Sequence, residues 1–130
     1  LFENYGVKSK KFKLKKTNLN LKKFDDLKIK DDICFFKIDV EGLDHLVIYG
    51  MKAYINKYFP VILVEYNHSN FEKIYKFLKK NYDCFFYDFL KNKLHKLNVS
   101  EIEKLKSGKI IENIFKKNSV NIFFKKKINY

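Results

Sequence analysis

Two apolar stretches of the chain end in carboxylates, and these residues are the best candidates for chemistry. Asp39 and Glu41 stand at the end of the first stretch, and Glu65 stands at the end of the second. A carboxylate in such a place could act as a general base on a hydroxyl, orient a sugar-like substrate or bind a metal ion. Asn67 and His68 follow the second stretch and could bind a substrate beside the acids.

A structural role competes with the chemical one for two of the carboxylates. Asp39 or Glu41 could instead cap a helix that begins near Leu43. His45 and His95 are expected to serve packing or the surface. No His-x-x-x-His or Cys-x-x-Cys spacing occurs, so we expect no zinc site. The four glycines form neither a Gly-x-Gly-x-x-Gly turn nor a P-loop, so we expect no phosphate-cradling loop.

Charge is distributed unevenly around the candidate residues. The 130-residue chain has a formal net charge of +13 and contains no Arg. Residues 31–68 are nevertheless net −3, between basic flanks of +7 and +9. In the flanks, Lys alternates with apolar residues as in a strand with one solvated face, and there is no Arg for bidentate contact with guanine. We therefore expect no specific nucleic-acid binding, and the acidic centre becomes the region of interest.

Two parallel strands are predicted to position the carboxylates. Residues 33–40 form a nearly continuous apolar run with β-branched residues, which is typical of a strand buried on both faces. Residues 61–67 form a second such strand, introduced by Pro60. Ligands of parallel α/β sheets bind at the carboxyl ends of the strands. If the two strands are neighbours, their acids face one crevice.

A helix is predicted between the strands. Residues 43–58 should form one amphipathic helix, because apolar residues and a glycine recur at helical spacing: Leu43, Leu46, Val47, Gly50, Tyr54 and Tyr58. A glycine inside a helix costs about 1 kcal/mol relative to alanine, and close packing on the sheet would explain it.

The other elements are predicted from the same periodicities. Their order favours βαβ units in a single α/β domain. They are a strand at 10–16, a helical turn at 21–27, a helix capped by Ser69 or Asn70, a strand at 82–87, a turn and short strand at 90–97, a helix opened by a capping box at 100–103, and a strand at 121–124 with Lys125, Lys126 and Lys127 as its solvated tail.

These segments resemble a known family, the FkbM-type methyltransferases. The resemblance extends over about residues 10–127, and its specific core is residues 37–65. Four segments carry it: Lys-Ile-Asp-Val-Glu-Gly at 37–42 with Gly50 after it, the proline-led strand ending in Glu at 60–65, Phe-Asp-Asp-Leu at 24–27, and the closing strand at 121–124.

The resemblance implies a methyltransferase that uses S-adenosylmethionine. The implied fold is α/β, the C-terminal part of a Rossmann-like class I methyltransferase fold, with a mostly parallel sheet and an antiparallel last strand. The implied acceptor is a small molecule or glycan, methylated on oxygen of a sugar, glycan or polyketide hydroxyl. On this interpretation Asp39 orients or deprotonates the acceptor and contacts the cofactor, Glu41 supports the site, and Glu65 holds the substrate side.

Part of the family pattern has no counterpart among residues 1–130. The glycine-rich turn that holds the amino-acid end of the cofactor is absent, and so is the acid that binds the ribose. We therefore expect residues 1–130 to be a single, N-terminally incomplete methyltransferase domain that does not bind the cofactor alone. The strand at 33–40 should then form an exposed, apolar sheet edge.

Two other interpretations stay open. The chain could be a non-catalytic basic α/β module that binds an anionic partner such as a membrane surface or polyanion, or a gene remnant without function. No apolar run is long enough to span a bilayer. Cys34 and Cys84 are interpreted as small buried residues on separate strands, with no disulfide between them, which suits a reducing cytoplasm.

Overall fold

A five-stranded mixed sheet organises the part of the chain that the computed structural model describes, which is residues 18–88, 91–109 and 121–128. The predicted strand at 10–16 lies outside the described residues. The elements in order are a 3₁₀ helix Phe24–Leu27, β1 Phe35–Ile38, α1 Asp44–Gly50, α2 Lys52–Tyr58, β2 Val61–Glu65, α3 His68–Leu78, β3 Tyr82–Asp88, β4 Lys93–Lys96, α4 Val99–Lys106 and β5 Asn121–Lys126.

The strand order of the sheet is β1-β2-β5-β3-β4. β1 and β2 pair in parallel, whereas β5 is antiparallel to both β2 and β3, and β4 is antiparallel to β3. The antiparallel last strand is confirmed. The expectation of a mostly parallel sheet is wrong for the pairing of the described strands, because β5 inserts between β2 and β3 and leaves one parallel pair. β1 lies at the edge of the sheet, as expected.

One face of the sheet carries the core. Alternate side chains of the central strands pack there against the inner sides of the helices, and most are almost fully buried. The sheet residues in this cluster are Ile38, Ile62, Val64, Tyr82, Cys84, Phe86, Ile122 and Phe124. Burying these apolar surfaces supplies the main stabilisation of the fold.

The opposite face of the sheet is only partly covered. Phe35 is 45% exposed, and Leu63, Phe85 and Phe123 are half-buried and lie outside the core cluster of the described residues. The prediction that the first strand is buried on both faces is therefore wrong. The described residues cover only part of the face to which Phe35 projects, and the adjacent Cys34, expected to be buried, is also exposed.

The single helix predicted over 43–58 is divided into α1 and α2 at Met51. The carboxylate of Asp25 explains the division, because its two oxygens accept hydrogen bonds from the backbone N–H groups of Ala53 at 2.8 Å and Tyr54 at 3.0 Å. Asp25, which lies in the 3₁₀ helix, thus supplies hydrogen-bond acceptors for the free N–H groups in the first turn of α2. Part of the Phe-Asp-Asp-Leu segment therefore has a structural role.

The inward face of α1 differs from the prediction. Leu43 and Leu46 are 54% and 53% exposed, and Val47 is exposed with them. Ile48 and Met51 face the core instead. The buried positions Asp44, Ile48, Met51 and Ile55 keep helical spacing across the break, so the inward face is rotated from the predicted one; of the predicted stripe, Tyr54 is buried.

Gly50 does not pack against the sheet, contrary to expectation. A Cβ atom built on Gly50 would lie 3.6 Å from Cα of Lys23, which precedes the 3₁₀ helix. That distance is an ordinary van der Waals contact, so the glycine is set against a neighbouring loop.

Asparagines cap both of the later helices, and the capping residues differ from those predicted. Asn67 caps α3, not Ser69 or Asn70, since its side-chain oxygen accepts a hydrogen bond from the Ser69 N–H. Asn98 caps α4 and forms a capping box with Glu101, so the box begins two residues before Ser100. In each case the cap is the last extended residue before the helix, which the sequence alone does not locate.

The last strand is longer than predicted. Lys125 and Lys126 belong to β5 rather than to a solvated tail, and Lys125 lies over the ring of Phe85 at 5.5 Å from the ring centre. The short strand near residues 90–97 is confirmed as β4. Both cysteines are free. Across the described ranges, every helix is too short or too polar to cross a membrane.

Candidate functional site

The carboxyl ends of β1 and β2 lie side by side. The strands are parallel neighbours and Ile38 is paired with Val64, so Asp39 and Glu65, the next residue of each strand, emerge at the same edge of the sheet. Asn121, the first residue of β5, is paired with Glu65. The assumption that the two acid-bearing strands are neighbours is confirmed. The sheet thus brings two of the predicted site residues together.

An ion pair occupies the β1 side of this edge. The Nζ atom of Lys37 donates a hydrogen bond to Oδ2 of Asp39 at 2.7 Å, and both side chains are well exposed. The hydrogen bond to Asp39 and the charge of Asp39 raise the pKa of Lys37, and the charge of Glu65 adds to this effect. One ammonium therefore lies in the field of both strand-end carboxylates.

A tight turn follows Asp39 and presents Glu41. The Leu43 N–H donates to the Val40 carbonyl at 3.2 Å, and the central residues Glu41 and Gly42 have φ values of +46° and +90°. Two successive positive φ values are those of a type I′ turn, in which a residue with a long side chain is disfavoured. Backbone strain of this kind tends to concentrate at functional sites.

The capping alternative for Asp39 and Glu41 is wrong. The first residue before α1 is Leu43, and no side chain makes a capping hydrogen bond there. Both carboxylates are exposed at the strand end instead. Neither is therefore committed to the helix that follows.

The two buried polar side chains in the described part of the chain both belong to this region. Asp44 is 4% exposed and Asn70 is 3% exposed. The Nδ2 atom of Asn70 donates a hydrogen bond to the Gly42 carbonyl at 2.5 Å. The Oδ1 atom of Asp44 is buried, and no described group forms a hydrogen bond with it. Buried carboxylates normally have partners, so this oxygen stands out.

Sequence reasoning did not identify Asn70 as part of the site. The sequence did contain a signal. Asn70 immediately precedes Phe71 and lies four residues before Ile74, and these three residues share the inner face of α3 with Leu78. An amide on the apolar face of a helix needs a specific partner. That partner, the carbonyl of Gly42, lies 28 residues away in sequence.

Asn67 and His68 follow β2 but turn toward other groups. Oδ1 of Asn67 accepts hydrogen bonds from the backbone N–H of Ser69 at 3.0 Å and from its hydroxyl at 2.7 Å. The ring of His68 lies against the backbone of Gly108, where an added Cβ would be 3.0 Å from Nδ1. Their role in substrate binding stays a prediction.

The other two histidines pack against aromatic rings. His45 lies edge-on to Tyr49, with ring centres 5.9 Å apart, and His95 lies 4.8 Å from the ring of Phe86. In the described ranges, no cluster of three or more His, Cys, Asp or Glu residues is arranged to hold a metal ion.

A match to a family model assigns the chain to a class of protein. The model, described as the methyltransferase FkbM domain, matches residues 3–86, which is more than half of the chain. The chain therefore belongs to the FkbM methyltransferase domain family. The match contains β1, β2 and the turn between Val40 and Leu43, and it stops before β5. Searches of curated proteins and of solved structures each gave no significant match.

Proposed function

We propose that the chain forms the acceptor side of a methyltransferase site that transfers a methyl group from S-adenosylmethionine to a hydroxyl. The observation that carries the proposal is the juxtaposition of Asp39 and Glu65 at the carboxyl edge of the paired strands β1 and β2, with Glu41 on the adjoining turn. Membership of the FkbM family supports the reaction class. The acceptors that suit carboxylates are sugar, glycan or polyketide hydroxyls, since a hydroxyl donates a hydrogen bond to a carboxylate.

Asp39 is the residue that we place nearest the reacting oxygen. A carboxylate there accepts a hydrogen bond from the acceptor hydroxyl and takes its proton as the oxygen gains the methyl group. Lys37 holds Asp39 at 2.7 Å and offsets part of its charge. Glu65 orients the acceptor from β2, and Glu41 supports the site from the turn.

S-Adenosylmethionine, when bound, supplies an electrophilic methyl group. Its fit to these residues is partial: exposed carboxylates suit its ammonium and ribose hydroxyls, and Asp39 is the residue that would contact it. In the same region, Oδ1 of Asp44 is buried and accepts no hydrogen bond from any described group. No glycine-rich turn for the amino-acid end of the cofactor occurs in residues 1–130.

We further propose that the complete domain is Rossmann-like and that residues 1–130 are its C-terminal part. Two features support this: β1 is at the edge of the sheet formed by the described strands, and the face that includes Phe35 and Leu63 is only half covered, and a further strand and helices would cover both. We place the protein in the cytoplasm, where its two free cysteines would stay reduced.

The test is methyl transfer by the complete translated protein. Methyl-labelled S-adenosylmethionine is incubated with methyl glycosides, oligosaccharides and polyketide alcohols, each compared with its O-methylated form. We expect label in a hydroxyl acceptor and an equal amount of S-adenosylhomocysteine, with no transfer to the blocked form. Label on nitrogen or sulfur acceptors alone would contradict O-methylation. Binding to anionic vesicles or heparin without any transfer would favour the basic module instead.

Calorimetry tests the division of the domain separately. We expect residues 1–130 to show no S-adenosylmethionine binding and the complete protein to bind it. Micromolar binding by residues 1–130 would contradict the proposal that they lack part of the cofactor site.

A further inference from the structure

We infer that Asn70 is a positioning residue of the strand-end site. Its side chain fastens the first turn of α3, which follows β2, to the Glu41–Gly42 turn, which follows β1. The hydrogen bond therefore sets how the acid on one strand end is placed relative to the acid on the other. The catalytic part of this inference rests on the proposed function.

The position of Asn70 is unfavourable for an amide unless it has a partner. Asn70 is 3% exposed and lies beside Phe71, which is also buried on the inner face of α3. Asparagine has a modest helix propensity, and an unpaired buried amide costs free energy. Packing would be served better by leucine, so the amide serves the hydrogen bond that it makes.

The partner of Asn70 lies at the most constrained point of the site. The Gly42 carbonyl belongs to a turn in which both Glu41 and Gly42 have positive φ. A Cβ atom added to Gly42 would lie 3.7 Å from Nδ2 of Asn70, so the amide lies directly against the turn. A strained turn keeps its conformation when neighbouring contacts hold it, and Asn70 provides one from a different element.

Holding the turn has consequences for the acids on both sides of it. Asp39 precedes the turn by one residue, and Glu41 lies within it. If the turn relaxes to ordinary backbone angles, Glu41 and the end of β1 move relative to Glu65. A displacement of about 1 Å at a reacting centre can lower a rate by about 100-fold.

The experiment combines a structural readout with a kinetic one on the complete protein. Asn70→Leu keeps about the same side-chain volume and removes the donor, and Asn56→Leu makes the same change on the exposed side of α2. NMR measures the amide–Hα NOE within Glu41, which is strong at positive φ. Methyl transfer gives kcat and KM.

We expect Asn70→Leu to remain folded, to weaken the Glu41 NOE, and to lower kcat by about 100-fold with little change in the KM for S-adenosylmethionine. Asn56→Leu should change neither readout. An unchanged Glu41 NOE in Asn70→Leu would overturn the inference. A weakened NOE with unchanged kcat would also overturn it, since the bond would then serve the fold alone.

A double-mutant cycle with Gly42→Ala distinguishes an effect of Asn70 on kcat through the turn from a purely structural effect. If Asn70 acts through the turn, Gly42→Ala with Asn70→Leu should lose no more kcat than Gly42→Ala alone. Multiplied losses would contradict the inference. If Asn70→Leu does not fold, Asn70→Ser, which is too short to reach the carbonyl, takes its place. Absence of wild-type methyl transfer would defeat the proposed function, whereas the NOE would still decide whether Asn70 holds the turn.

Discussion

The turn after β1 and the corner made by β3, β4 and α4 contain similar polar groups but use them differently. Each region has a lysine–aspartate ion pair on the sheet: Lys37–Asp39 at 2.7 Å in the first and Lys96–Asp83 at 2.6 Å in the second. Each region also has an acid in the first turn of a helix, Asp44 in α1 and Glu101 in α4.

The polar groups at the start of α4 are matched within the corner, whereas the Tyr82 hydroxyl on β3 is buried with no hydrogen-bond partner among the described groups. The Glu101 carboxylate accepts a hydrogen bond from the Asn98 backbone N–H at 2.8 Å and is 3.2 Å from Nε2 of His95. The Asn98 side chain accepts one from the Glu101 N–H at 3.0 Å. Folding alone explains these residues, because they satisfy the start of α4.

The groups at the turn are not matched in this way. Glu41 adopts a disfavoured φ, Asp44 keeps a buried oxygen without a described partner, and no side chain caps α1. Folding alone would not favour this arrangement. A positive φ at Asn92 and the unpartnered Tyr82 hydroxyl occur in the corner as well, so the turn after β1 differs in its helix start, which has no side-chain cap and a buried carboxylate oxygen without a described partner.

The largest expected effect on stability within this comparison comes from Gly42→Ala. Its φ of +90° is strained for any residue with a Cβ, so we expect a loss of about 1–3 kcal/mol together with lower methyl transfer. Gly50→Ala is the matched control, because its Cβ would meet nothing closer than 3.6 Å and a helical alanine should add about 1 kcal/mol. Urea unfolding measures the free energy of unfolding of both variants. Equal changes in the two variants would show that the turn after β1 is no more sensitive to an added Cβ than α1 is.

A smaller effect is expected from the two capping asparagines. Asn67→Ala and Asn98→Ala should each lower the free energy of unfolding by about 1 kcal/mol through loss of a cap. If Asn67 also binds the acceptor, its variant alone should raise the KM for the acceptor. Equal KM values for the two variants would leave Asn67 with a structural role only.

The smallest effect concerns the cysteines, whose reactivity should differ without a change in stability. Burial is the main cause that raises the pKa of Cys84 well above the usual range of a thiol, and the charge of Asp83 adds to it. Its thiolate should stay scarce between pH 7 and 9, whereas Cys34 is exposed. Mass spectrometry after iodoacetamide treatment should find the label on Cys34, and equal labelling of Cys84 would show that the core opens readily.

The strands and helices could be predicted from the sequence because their periodicities are local. β1, β2 and β3 coincide with apolar runs, and strand-end logic predicts that the acids of β1 and β2 share one edge if the two strands are neighbours, which they are. The family resemblance at residues 37–42 and 60–65 is confirmed by the family model.

Several of the errors arise where a distant residue decides the outcome. The break between α1 and α2 depends on Asp25, which is 28 residues from Ala53. The role of Asn70 depends on Gly42, which is equally distant. Periodicity contains no information about such pairs, so neither the break in the helix nor the partner of the buried amide could be predicted.

Methyl transfer by Asp39→Asn and Asp83→Asn tests the central claim most directly. Both changes remove the charge from an aspartate that is paired with lysine, and only Asp39 lies at the strand ends. We predict that Asp39→Asn abolishes turnover of the complete protein with little unfolding, whereas Asp83→Asn retains it. Unchanged turnover in Asp39→Asn, or equal loss in both variants, would contradict the account.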